Sequence, residues 1–247
     1  MLRILYDCTG TKSLVEIVEE TRVQVTLLDE IITRADWTSH DYNVHFSLGL
    51  LNDGNSELEI SIEVDGGQYR SLPDFRPNLY VSEYPDRDFT SFEGDARTDL
   101  AKKYAVRLTL AAGKRIYLAN TVVRSLPALL KEFDFISSKS DVEKRVIGKT
   151  NRGNDLTGYI YGNRNLPTIL VTSGFHPPEP DTLATQAIMK WLSGTLSAHV
   201  LESFCVAVVP LVNPDGYELG NQGANAAGIN LYWHFAIERP RLCPEAW

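Results

Sequence analysis

Residues 167–179 read Pro167-Thr168-Ile169-Leu170-Val171-Thr172-Ser173-Gly174-Phe175-His176-Pro177-Pro178-Glu179. The first seven form a near-continuous apolar run, the pattern of a strand covered on both faces of a largely parallel sheet. The rest is a loop, and open α/β sheets build their sites in loops at the carboxyl ends of strands. An imidazole and a carboxylate three residues apart can converge on one cation. Zinc accepts such nitrogen and oxygen ligands, and its catalytic sites use three of them plus a water. Pro177 and Pro178 stiffen the loop and reduce the entropy lost on fixing it. H-x-x-E is short enough to arise by chance, however, and the same residues also read as a polar loop histidine before a helix-starting glutamate.

Working outward, Asp181–Leu192 predicts an amphipathic helix with Asp181 as N-cap and Leu183, Ala187, Ile188 and Trp191 on its apolar side. Phe204–Val212 reads as a second buried strand. Upstream, Arg145–Gly148 and Leu156–Tyr161 read as strands, and Leu126–Ser140 holds a short helix with Pro127 in its first turn. Strand and helix alternate, so residues 123–247 are expected to form an α/β layer domain.

Residues 1–122 read differently. Tyr42, Val44, Phe46, Leu48 and Leu50 alternate with polar or small residues, the period-two signature of a half-buried strand. Asn52-Asp53-Gly54 marks a turn, and Leu58, Ile60, Ile62 and Val64 alternate in the next strand. A second hairpin is expected to pair Tyr104–Leu110 with Ile116 and Leu118 across Ala112-Gly113-Lys114. Short strands at this spacing predict an all-β sandwich.

The 247 residues carry 24 Lys and Arg against 32 Asp and Glu, a net charge of −8. That excludes nucleic acid and anionic membrane as main partners, since both need a basic face. No stretch approaches a membrane span or a signal-peptide core, so the expected location is cytoplasmic. Cys8, Cys205 and Cys243 fit no zinc or redox spacing and read as buried or reduced thiols. His40, His45 and His199 read as surface, edge or loop residues.

From about residue 120 onward, a series of ordered motifs resembles the zinc carboxypeptidase family, its cytosolic carboxypeptidase-like branch in particular. Val146-Ile147-Gly148-Lys149-Thr150-Asn151-Arg152-Gly153 is similar to the family's strand and turn before the site. Gly174–Glu179 looks like its zinc motif, and Val209–Tyr217 matches its strand and N-P-D-G turn. Gly220-Asn221, Gly228-Ile229-Asn230-Leu231 and Cys243-Pro244-Glu245-Ala246 follow in the family's order. The resemblance implies a mixed sheet with flanking helices and a preceding β-sandwich. It also implies a zinc ion held first by His176 and Glu179, acting on the C-terminus of a peptide or protein by polarising the scissile carbonyl and activating water.

The chain departs from that pattern at four places. Gly223 stands where the family has an arginine that stabilises the oxyanion. Tyr232-Trp233 stand where it has the Asn-Arg that grips the substrate carboxylate, and a guanidinium clamp has no substitute in Tyr or Trp. The family's third zinc ligand and general base come later than Trp247. Asn221, Tyr232, Trp233 and His234 are the candidates for lining the substrate side, and an incomplete sheet is expected to leave an open edge that invites homo-oligomers. The leading reading is a zinc metallocarboxypeptidase-like protein. The alternatives are a non-catalytic peptide-binding scaffold and an N-acyl amino acid hydrolase on the same fold.

Overall fold

The computed structural model describes residues 1–8, 12–28, 30–33, 38–41, 45–65, 78–92, 95–98, 103–138, 141–177, 181–231 and 243–245. The chain divides into two compact units, Met1–Ile31 with Ser39–Ser125 and Ile32–Thr38 with Leu126–Trp247.

Every described regular element up to residue 119 is a strand. In chain order they are β1 (Leu2–Leu5), β2 (Ser13–Glu19), β3 (Arg22–Leu27), β4 (Glu30–Thr33), β5 (Thr38–Asp41) and β6 (Ser47–Asn52). There follow β7 (Leu58–Asp65), β8 (Tyr80–Ser82), β9 (Thr90–Ser91), β10 (Asp95–Thr98), β11 (Lys103–Leu110) and β12 (Arg115–Ala119). Two five-stranded sheets, β1-β6-β12-β8-β9 and β10-β11-β7-β3-β2, account for all but the β4-β5 pair. Their inward side chains form one core: Leu48, Leu50 and Leu118 from the first sheet, with Phe46 just before β6, meet Val23, Val25, Ile60, Ile62 and Val106 from the second.

The two hairpins expected from the sequence are not hairpins. β6 and β7 lie in different sheets, as do β11 and β12, so each turn carries the chain across the core. The buried Asn52 amide ties both crossings together, donating to Ser56 O at 2.8 Å and to Leu110 O at 2.9 Å. Alternation reports which face of a strand is buried but not which strand is its neighbour, and that is the physical reason for the misreading. Tyr42 and Val44, read as part of the β6 strand, lie outside the described residues. His45 is buried rather than superficial, with Nδ1 3.0 Å from Asn120 Oδ1. The side chain of His40 is outside the described set.

In the second unit, α1 (Leu126–Ser137) precedes β13 (Val142–Lys149), β14 (Asp155–Tyr161) and β15 (Thr168–Thr172). Then come α2 (Asp181–Leu192), α3 (Ala198–Leu201), β16 (Cys205–Val209) and α4 (Pro214–Leu219). The sheet runs β13-β14-β16-β15, with β15 parallel to β16 and the other pairs antiparallel. One face carries Tyr159, Tyr161, Val206 and Val208, packed with Leu129 and Phe133 of α1 and Met189 and Leu192 of α2. Tyr159 also donates its hydroxyl to Asp134 Oδ1 at 2.7 Å. Burial and that bond together push its phenol well above the usual range.

Two expectations fail here. α2 has the expected bounds but the opposite phase: Thr182, Thr185, Gln186, Met189 and Leu192 are buried, whereas Ile188 and Trp191 are exposed. Small threonines and a flexible methionine let the helix lie close on the sheet, and Trp191 instead meets the ring of His199 edge-on. β15 is not covered on both faces. It is a sheet edge among the described residues, with Ile169 41% and Leu170 65% exposed.

Candidate zinc-carboxypeptidase site

The loop after β15 is held by continuation of the sheet. Ser173 N donates to Val209 O, Val212 N to Ser173 O and Asn213 N to Gly174 O, at 3.1, 2.9 and 3.0 Å. Gly174 then turns the chain with φ +70°, and a Cβ there would stand 2.6 Å from Leu211 Cδ1. Both backbone freedom and lack of bulk are needed at this point. Asp181, expected to cap its own helix, accepts a 2.7 Å hydrogen bond from Gly174 N.

Asn213 is the hub. It caps α4, accepting from Gly216 N at 2.9 Å, with Pro214 in the first turn. Such a cap satisfies one of the helix's orphan donors. Its Nδ2 donates to Phe175 O, Gly223 O and Ala224 O at 3.4, 3.3 and 3.2 Å. One buried amide therefore fastens the His176 loop to the 221–225 turn. His176 sits with its ring against Gly223: a Cβ on residue 223 would lie 2.8 Å from His176 Cδ2, 2.9 Å from His176 Nε2 and 2.6 Å from Asn230 Nδ2.

Behind this contact lies a second buried network. Asp215 accepts from Thr150 Oγ1 at 2.8 Å, Asn154 Nδ2 at 2.8 Å and Arg152 N at 3.0 Å. Glu245 accepts from Asn151 N at 3.2 Å and Asn225 Nδ2 at 3.0 Å. Burial pushes the Glu245 carboxyl above its ordinary range, against the pull of the hydrogen bonds to it. Asn225 in turn accepts from Ala227 N and Ile229 N. The 148–153 turn, the N-P-D-G turn and the P-E element, remote in sequence, thus form one polar frame.

Of the sequence candidates, His176 and Asn221 lie in this frame. Asn221 is buried and spends its amide on Ala224 O at 2.7 Å and Asn225 O at 3.4 Å, shaping the turn. Glu179, Tyr232, Trp233 and His234 lie outside the described residues. His199 is on α3 and exposed. All three thiols are free, with Cys205 and Cys243 buried and Cys8 raised to about 12, mainly by burial. Sequence reading did not single out Asn213, Asp215 or Glu245 as framework residues. The signal for the first was present, since Asn before Pro at a strand end is a helix-start pattern.

The family profile described as zinc carboxypeptidase matches residues 133–236. That stretch is therefore similar to the zinc carboxypeptidase family. The chain is 31% identical over 80 residues to cytosolic carboxypeptidase 1 of Xenopus laevis, covering 30% of this chain and 6% of that protein. Among solved structures, a metallo-carboxypeptidase from Burkholderia cenocepacia superposes with a TM-score of 0.81 at 17% identity, covering 100% of this chain and 65% of that one. A metallo-carboxypeptidase from Pseudomonas aeruginosa, in complex with (2-guanidinoethylmercapto)succinic acid, gives 0.80 at 17% identity, covering 99% and 64%. The fold is therefore the carboxypeptidase-like one, and the chain spans just under two thirds of those structures.

The family is a zinc family, and the donors here suit zinc in type. They fall short in number: among the described residues no three of His, Cys, Asp and Glu gather as a metal site. His176 Nε2 is buried close to Gly223.

Proposed function

We propose that this chain carries the first half of a metallocarboxypeptidase-like site, which in complete form hydrolyses the C-terminal bond of a peptide or protein. His176 and Glu179 are its zinc ligands. The observation that carries this reading is the fastening of the His176 loop to the 221–225 turn through Asn213 Nδ2. A loop tied on both sides loses little entropy when it takes a ligand. The family zinc would polarise the scissile carbonyl and activate a water. This chain's own residues hold the imidazole in place and provide no oxyanion donor at position 223.

Removing one such donor costs two to three orders of magnitude in rate. Release of C-terminal residues from varied peptides by the 247-residue chain is therefore expected to be absent, or at least about 100-fold below that of a complete enzyme. Any release must vanish with a chelator and in His176→Ala. Chelator-insensitive release would sink the reading, and turnover of an N-acyl amino acid would favour the hydrolase alternative.

The close seat of His176 on Gly223 favours a second reading, a scaffold that binds peptide C-termini without turnover. Metal-independent peptide binding with no release is its signature. No described helix is long and apolar enough to cross a membrane, and the similarity to a cytosolic relative supports a cytoplasmic setting.

A further inference from the structure

In the first unit, the loop from β8 to β9 (residues 83–89) and the turn from β11 to β12 (residues 111–114) border one pocket. It encloses about 460 Å³, and every residue lining it belongs to that unit. This is the size of a small-molecule site, and such sites are mostly apolar with a few placed polar groups. Val81, Leu110 and Ile116 supply apolar wall and Tyr84 an aromatic one. Lys114 and Arg115 also line it, and neither has an ion-pair partner among the described residues. Of the two acidic lining residues, Asp88 is paired with Arg87 at 3.7 Å, which leaves Glu83. The pocket is thus positive on balance in a chain whose net charge is −8.

Both walls are built in advance. Ser82 Oγ accepts from Tyr84 N at 2.9 Å and donates to Arg87 O at 2.6 Å, which fixes the start of the 83–89 loop. Arg87 lies over the Tyr84 ring, 4.1 Å from its centre, and does not itself line the pocket, so it braces the ring from outside. Asp88 is the one non-glycine residue among those described with a positive φ, 56°. Backbone outliers of this kind gather at ligand clamps. On the other wall, Gly113 turns with φ +68°, Lys114 N donates to Ala111 O at 3.1 Å and Lys114 O accepts from Asn52 N at 2.9 Å. Walls already fixed lose little entropy when a ligand arrives.

We propose that this pocket binds a small aromatic carboxylate, with its ring on Tyr84 and its carboxylate at Lys114 and Arg115. The spacing suits one ligand touching both, since the Arg115 guanidinium carbon is 5.9 Å from the Tyr84 ring centre. A guanidinium grips a carboxylate through two parallel hydrogen bonds, and aromatic rings pair favourably in offset or edge-on contact. A bare inorganic anion leaves the apolar wall wet, and a neutral aromatic leaves both cations unused. The site is separate from the zinc half-site and does not rest on that reading.

Calorimetric titration of the purified chain with 2-naphthoate tests this. One site is expected, with a dissociation constant on the order of 0.1–1 mM for a ligand of this size. 2-Naphthalenemethanol, the same ring system without the charge, should bind about five-fold more weakly or less. Added salt should weaken the acid alone, since the cations are exposed. Arg115→Gln and Tyr84→Leu should each reduce binding with an unchanged circular dichroism spectrum, and Arg115→Lys should keep part of it. His176→Ala should bind like wild type. No binding at millimolar acid, equal binding of the neutral alcohol, binding that survives both Arg115→Gln and Tyr84→Leu, or binding lost in His176→Ala would each overturn the proposal.

Discussion

Asp215→Ala is expected to lower the melting temperature by roughly 6–12 °C, the equivalent of about 3 kcal/mol for a chain of this size. The carboxylate is 0% exposed and accepts from a hydroxyl, an amide and a backbone N–H. Bonds to a charged acceptor are about twice as strong as neutral ones. Removing the acceptor strands donors that converge on one point, which costs more than any single bond was worth. Arg152 is exposed and Asn154 only partly buried, so water can rescue some of the loss, which keeps the estimate moderate. Asp215→Asn should fall between the two proteins, since one acceptor oxygen remains. Thermal unfolding of the three proteins checks the order. Equal melting temperatures would mean that the 150–154 turn holds without Asp215.

Gly223→Arg restores the residue type that the family resemblance expects, and the expected result is loss rather than gain. The obstacle is space. Residue 223 is not among the positive-φ positions, but its Cβ would fall 2.6–2.9 Å from Asn230 Nδ2 and the His176 ring. Neither neighbour is the free end of a long flexible side chain. Asn230 is fully buried and the His176 loop is fastened by Asn213. Overpacking of this kind costs about 1–3 kcal/mol, taken either as stability or as displacement of the imidazole. Gly223→Ala should show much of the same penalty, since the clash begins at Cβ. Stability and zinc content of both variants are the measurements. An arginine variant as stable as wild type, with more zinc or with carboxypeptidase turnover, would show that the ring moves aside at little cost.

The α/β character of the second unit was legible because strands 155–161 and 168–172 and helix 181–192 each carry a strong local pattern. What the sequence did not reveal was which face is covered. The apolar run of β15 was read as doubly buried because a run of Ile, Leu and Val records only that burial is favourable, not that a neighbour is present. α2 was read with the wrong phase for a related reason. Its Leu183–Trp191 stripe is the more hydrophobic, yet the sheet takes the stripe of small and flexible side chains that permits close approach. In the β unit, alternation gave the strands, but pairing is a long-range property, and both crossings were mistaken for hairpins.

At the site, the motifs around His176 single it out as a candidate ligand. The network that holds it was not legible, because Asp215, Asn225 and Glu245 act through partners 20 to 94 residues away. The departure at Gly223 acquires a structural reason, because a side chain there would meet both the His176 ring and Asn230.

The most direct measurement is the zinc content of the purified 247-residue chain after exhaustive dialysis, with His176→Ala alongside. Two protein ligands rarely hold zinc tightly. The expected result is well under one zinc per chain, falling to background in His176→Ala. A full equivalent that survives dialysis would contradict the account of a half-site, and zinc unaffected by His176→Ala would contradict His176 as the ligand that anchors it.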